Sequence, residues 1–115
     1  MVRSDQSKSY LSELLKLSKY NLISNGYQKL TVAGTAVSLT VPTNSRYALI
    51  TVESTIATPA IRYLELGDAT LPTATDGMPR ITADTFDIHG AQNLANFRAI
   101  QVGAGTHILH IQYYK

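Results

Sequence analysis

Histidine is the residue type in this chain with the widest chemical reach, and three occur: His89, His107 and His110. His107 and His110 stand three positions apart in a stretch that alternates like a strand, where such neighbours project to opposite faces. They cannot share a metal ion without a bulge. His89 belongs to another strand-like run and could join either one, but a metal centre needs several ligands converging from facing strands. Ordinary polar strand positions are therefore expected, with no metal. Asp68, Asp76, Asp84 and Asp87 stand in or near turns, too scattered to read as the paired carboxylates of glycoside chemistry. There is no cysteine for a thiolate nucleophile, a thiolate metal site or a disulfide. Neither a Gly-x-Ser-x-Gly elbow nor a phosphate-binding glycine loop occurs, and Gly103-Ala104-Gly105 lacks the helix that would have to follow it. No catalytic residue, cofactor-binding residue or metal ligand is nominated, and no enzyme activity is expected.

Tyrosine carries more weight. Tyr10, Tyr20, Tyr27, Tyr47, Tyr63, Tyr113 and Tyr114 supply large contact area with one polar tip each, which suits core edges and interfaces alike. Tyr113 and Tyr114 are adjacent on a strand-like run, so they face opposite sides, and Tyr114 is a candidate contact for a partner.

What must position these groups is a series of short strands. Val37 to Glu53 reads as a β-hairpin: Val37, Leu39 and Val41 alternate with Ser38 and Thr40, Pro42-Thr43-Asn44-Ser45 interrupts, and Tyr47 to Val52 resumes. In the second run Ala48, Ile50 and Val52 share one face and Tyr47, Leu49 and Thr51 the other. With both faces largely apolar, a central strand covered on both sides is expected. Tyr27 to Ala33, Ile61 to Leu66, Arg80 to Ala83, Thr85 to His89, Phe97 to Val102 and Thr106 to Tyr114 read as further strands. Gly67 to Pro79 is a turn-rich loop with breakers at Pro72, Asp76-Gly77 and Pro79. Loops of that length are commonly functional, so Pro72, Asp76 and Met78 are candidate partner contacts. Arg62 and Arg98 sit in otherwise apolar strands, so at least one of them is expected to pair with a carboxylate or with backbone carbonyls, with Asp76 the first candidate.

Residues 9 to 24 read as a helix. Leu11, Leu14, Leu15 and Leu22 form one stripe, with Glu13, Lys16 and Lys19 largely away from it. Ser7 or Ser9 suits the cap and Asn25-Gly26 the stop. The stripe packs on the chain's own strands or docks on a neighbouring subunit. The fold class read from the residues is mainly β, an antiparallel β-sandwich that is jelly-roll-like, with one N-terminal amphipathic helix. Its parts are a helical arm over residues 1–25 and a β-sandwich domain over residues 26–115.

At 115 residues the chain is long enough for a single core. Only 16% of residues are charged, which suggests a surface covered in part by partners. Up to residue 30, five basic residues face two acidic ones, and beyond it five face six. That mild asymmetry lacks the Lys/Arg clusters and basic-aromatic interleaving of a nucleic-acid binder. No apolar run approaches a membrane span, and the polar start lacks the apolar centre of a signal peptide, so no membrane partner and an intracellular product are expected.

Taken together, residues 35 to 114 resemble a family of small virion proteins of tailed bacteriophages. The features are an apolar strand ending in Val41-Pro42, the strand Tyr47-Ala48-Leu49-Ile50-Thr51-Val52-Glu53, an Arg-containing strand at Ile61-Arg62-Tyr63, the loop Pro72 to Pro79, Phe97-Arg98-Ala99-Ile100 and a final strand ending in Tyr113-Tyr114. The ordered set carries the resemblance; no single piece does. It implies a non-enzymatic structural component of the virion, assembled in the bacterial host cytoplasm. Capsid decoration or cement, with the major capsid protein as partner and a homo-oligomeric state, is the favoured reading. Other locations are the neck, tail or fibre base. The competing class is a carbohydrate-binding module on the virion, which requires a shallow groove of aromatic and acidic residues on one sheet face; a metal-dependent jelly-roll enzyme is the third reading.

Overall fold

The computed structural model describes residues 22–115. These build a mainly β structure of two antiparallel sheets and one short helix: β1 (Ser24–Val32), β2 (Val37–Ser38), β3 (Tyr47–Ser54), β4 (Ile61–Leu64), β5 (Met78–Arg80), β6 (Thr85–His89), α1 (Ala91–Asn96), β7 (Arg98–Gln101) and β8 (His107–Tyr114). The first sheet runs β1-β8-β3-β6 and the second β2-β7-β4-β5. Along the chain every connection changes sheet except that between β4 and β5.

Period-two alternation decides which side chains are buried. On β3, Ala48, Ile50 and Val52 point inward; on β8, Leu109, Ile111 and Tyr113; on β6, Phe86 and Ile88. Ile61 and Tyr63 of β4 and Ala99 of β7 join them from the second sheet, with Leu94 and Phe97 beside them, in one core. Tyr63 links the layers. Its ring stacks on Phe86 of the opposite sheet, with centroids 4.6 Å apart, and on Phe97 at 5.4 Å.

Arg80 closes that stack at the open edge. In register it lies beside Ile61, so it shares the inward face of β5, and its guanidinium carbon sits 4.9 Å from the Phe86 centroid and 5.7 Å from that of Tyr63. A cation over aromatic faces is favourable. An inward-pointing charge on an edge strand also disfavours pairing with another strand, and Pro79 removes a donor from the same edge.

Three sequence expectations are corrected here. β3 is buried on one face only, with Tyr47, Leu49 and Thr51 half-buried on the other rather than covered. Val37 to Glu53 is not a hairpin, because β2 pairs with β7 in the second sheet while β3 pairs with β6 and β8 in the first. The Pro42–Ser45 turn, closed by Ser45 N–H donating to Pro42 O with Asn44 at φ 70°, carries the chain from one layer to the other. Alternation located both strands and their inward residues but does not encode which strand is the neighbour. The helix expected over residues 9 to 24 lies mostly outside the described residues, and its described end, residues 22–24, is not helical. Ile23 and Lys115 exchange both backbone hydrogen bonds at 2.9 Å, and Ser24 already belongs to β1. The edge of β8 opposite β3 gives this backbone its partner. Asn25-Gly26 is a register shift in β1 rather than a helix stop, with Gly26 at φ 134°.

Tyr113 is wholly buried, and its hydroxyl donates to Gln28 Oε1. Burial pushes its pKa up from the ordinary 10.0. The unfolded chain releases this proton near pH 10 and the folded chain only above that. The folded state therefore holds more protons in that window, and stability falls as pH rises through it. Urea midpoints measured from pH 8 to 11 are expected to fall above pH 10, and to fall less steeply in Tyr113→Phe.

Candidate functional site

Outward positions of the first sheet form an ordered grid. Register places Tyr114, Tyr47 and His89 in one row across β8, β3 and β6; Tyr27, Gln112, Leu49 and Asp87 in the next, starting from β1; and Lys29, His110, Thr51 and Thr85 in the third. Glu53 lies one row further along β3, opposite Ile108. Aromatic, imidazole and carboxylate groups thus share one face.

Two hydrogen-bonded chains fix them. Tyr27 donates its hydroxyl to His110 Nδ1 at 2.6 Å, and His110 Nε2–H donates to Glu53 Oε1 at 2.7 Å. The Tyr27 and His110 rings lie 20° from parallel with centroids 6.1 Å apart. On the other side, the Tyr47 hydroxyl and His89 Nε2–H both donate to Asp87 Oδ2, at 3.0 and 3.1 Å. Tyr47 also meets the His89 ring edge-on at 4.8 Å and Tyr114 at 5.5 Å. Burial first, then the hydrogen bond that its hydroxyl donates to Asp87 and the carboxylate charge beside it, push the Tyr47 phenol up to about 12. Burial likewise raises the Glu65 carboxyl, with His89 acting against it.

Between the two chains lies a shallow depression of about 140 Å³, lined by Tyr27, Leu49, Thr51, His110 and Gln112. The carboxylate–imidazole–hydroxyl order of Glu53, His110 and Tyr27 is that of a charge-relay triad with a phenol at its end. The strands beneath it, β8 and β3, are interior, so their N–H groups are used in the ladder and present no pair of donors to an oxyanion. What the chain of bonds does is hold two rings and a carboxylate in fixed orientation.

His107 has the opposite surroundings. It is buried, its Nε2–H donates to Gly103 O at 2.7 Å and its Nδ1 accepts from Ser54 Oγ at 2.8 Å. Ser54 Oγ in turn accepts the Ile56 N–H. A serine–histidine pair is the core of an acyl-transfer site, but here a carbonyl takes the place of the orienting carboxylate and the serine oxygen is already engaged. The pair ties β3 to the Gly103–Gly105 turn. As parity requires, His107 and His110 face opposite ways, and among the described residues no three His, Asp or Glu side chains converge as metal ligands. No described helix is long and apolar enough to cross a membrane.

Comparison with protein-family models, with curated proteins and with solved structures found no match.

The residues proposed from the sequence as partner contacts, so far as they are described, do not gather in one place. Leu11, Leu14 and Leu15 lie outside the described residues. Leu22 is half-buried just ahead of β1, not on a helix. Pro72 is buried within the chain itself, next to Gly77, so its ring is closed to a partner. Asp76 is exposed, but its role is local: Thr73 Oγ1 donates to its carboxylate at 3.2 Å and accepts its N–H at 2.9 Å. Met78 is exposed on β5 and Tyr114 half-buried on the opposite sheet. Both strand arginines find partners, as expected, but neither takes Asp76. Arg98 Nε donates to Asp68 at 3.1 Å and its Nη1 to the Ala95 and Phe97 carbonyls. Arg62 donates to Ala74 O at 3.2 Å and Gly77 O at 2.8 Å, stapling the loop after β4 to the outside of the second sheet.

The Tyr27–His110–Glu53 chain went unread in the sequence because its members are distant along the chain and meet through the β1-β8-β3 order. Its one local signal was parity, which put His110 and Gln112 on a single face. Arg62→Met keeps the stem and removes both carbonyl bonds, and Gly77→Ala sets a Cβ 3.2 Å from Tyr63 O at φ 127°. Each is expected to lower unfolding free energy by about 1–3 kcal/mol in urea denaturation, with faster proteolysis between residues 65 and 77.

Proposed function

We propose that this chain is a non-enzymatic structural component of a tailed-phage virion, a capsid decoration or cement protein on a jelly-roll β-sandwich. Strand order is the observation that supports the reading. Numbered along the chain, β1-β8-β3-β6 lies against β2-β7-β4-β5. Two interleaved Greek keys rolled into a double sheet give this order, and capsid proteins are among the users of that architecture. The sequence resemblance over residues 35 to 114 points the same way. In this reading the partner is the major capsid protein, the protein acts as a homo-oligomer, and its location is the virion, with neck, tail or fibre base as the other positions.

Exposed apolar side chains support a position for the contact. Leu66, Leu71, Met78 and Ile81 follow one another from the end of β4 to just past β5, each exposed. Scattered single apolar residues need no explanation, but a run of them bordering a loop stapled in place suits burial on assembly. Multivalency allows each contact to be weak while the lattice is stabilised strongly. The amphipathic segment of residues 9–21 would add a second contact.

Quantitative mass spectrometry of particles purified from cells making this chain is the deciding measurement. Hundreds of copies per particle are expected; about six or twelve would move it to the neck or tail, and none would end the reading. Leu71→Asp with Met78→Asp is expected to weaken binding to particles stripped of the protein at least tenfold, with no change in the circular dichroism spectrum. Removing residues 1–21 is expected to abolish that binding and leave a body that still unfolds cooperatively.

A further inference from the structure

We infer that the outer face of the first sheet carries a carbohydrate site, a seat for one neutral pyranose ring in the depression lined by Tyr27, Leu49, Thr51, His110 and Gln112, with Glu53 hydrogen-bonded to His110 beside it. The inference does not rest on a place in a virion.

Size is the first argument. A volume of about 140 Å³ is well below the ~300–1,000 Å³ of pockets for drug-sized ligands, and it suits a single ring. Chemistry is the second. A pyranose has an apolar C–H face and a rim of hydroxyls, and the depression has both complements. Tyr27 is 63% exposed and lies near-parallel to the His110 ring, offering a flat aromatic surface, and Leu49 adds an apolar floor. Thr51, the Gln112 carbonyl and the carboxylate of Glu53 offer hydrogen-bonding groups at the edge. The Glu53 side chain is 67% exposed, and only its Oε1 is engaged by His110, so Oε2 is left to accept from a sugar hydroxyl. Preorganisation is the third. Tyr27 is held by His110 and His110 by Glu53, so the contacting groups lose little rotamer freedom on binding.

Other occupants fit less well. Glu53 and Asp87 outnumber Lys29 on this face and make it unfavourable for anions, including acidic peptides. A peptide strand cannot add to β8 or β3, because both are interior strands. A neutral polyol satisfies the carboxylate as a hydroxyl donor without adding charge.

The test is titration of the full-length ¹⁵N-labelled chain with glucose, galactose, mannose and N-acetylglucosamine, followed by amide NMR shifts. At least one sugar is expected to give saturable shifts centred on Tyr27, Leu49, Thr51, His110 and Gln112. Affinity should fall about tenfold or more in Tyr27→Ala and in Glu53→Gln, and stay unchanged in Gln92→Ala on α1. Tyr27→Phe keeps the ring but releases His110, and is expected to bind more weakly than the parent and more tightly than Tyr27→Ala. No shift at this face with any of the four sugars overturns the proposal. So do shifts that persist undiminished in both Tyr27→Ala and Glu53→Gln, and so do shifts of the same amides with protein concentration alone, which would make the face a contact between copies.

Discussion

The stack of Tyr63 on Phe86 is the contact on which the two-layer arrangement turns. Strands within a sheet are held by their ladders, but nothing in a ladder fixes one sheet against the other. That job falls to side chains crossing the gap, and Tyr63, Phe86 and Phe97 provide the widest of these contacts. The geometry is near-parallel, 13° between Tyr63 and Phe86, so the pair sets both the spacing and the lateral offset of the layers. Arg80 lies over the same rings where β5 and β6 leave the gap open. It covers apolar surface with its stem and keeps a charge at an edge that would otherwise be free to pair.

The same strand, β8, shows how parity distributes chemistry. His107, inward, is consumed in holding a turn; His110, outward, joins an exposed chain of phenol, imidazole and carboxylate. Each ring donates through Nε2 and accepts through Nδ1, so the two are in one tautomer. What separates them is the layer they face: one meets backbone carbonyl and serine in a closed interior, the other a tyrosine and a glutamate beside water. A single-residue slip of β8 would exchange these environments and bury Gln112 in place of Ile111.

Most strand positions were legible in the sequence because alternation is local. Ala48, Ile50, Val52, Leu109, Ile111 and Tyr113 were separable from their neighbours by period alone, and all are buried. Pairing was not legible, since Val37–Ser38 and Tyr47–Ser54 look like neighbours along the chain and belong to different sheets. The six residues of α1 fall between two expected strands and went unread: too short for a helical period to register, they are held by Gly90 O and by the burial of Leu94. Asp68 was missed as the partner of Arg98 for a similar reason, as the pair is made by the 3₁₀ turn Gly67–Ala69 coming to rest beside β7. The aromatic and acidic face was hidden most completely, because its members come from β1, β3, β6 and β8 and only the sheet order brings them together.

Because all but one connection changes sheet, almost no strand can find its partner by folding back locally. Only β4 and β5 are neighbours both in sequence and in a sheet. β8, the last strand, is inserted between β1 and β3, so the first sheet cannot close until the chain has been made through Tyr114. Such a topology folds slowly, since long loops must close before every ladder but that of β4 and β5 forms. It also decides how the finished molecule yields to force: Ser24 and Tyr114 lie side by side at one end of the antiparallel β1–β8 ladder, so tension applied at these two residues peels the pair one hydrogen bond at a time instead of loading all of its bonds at once.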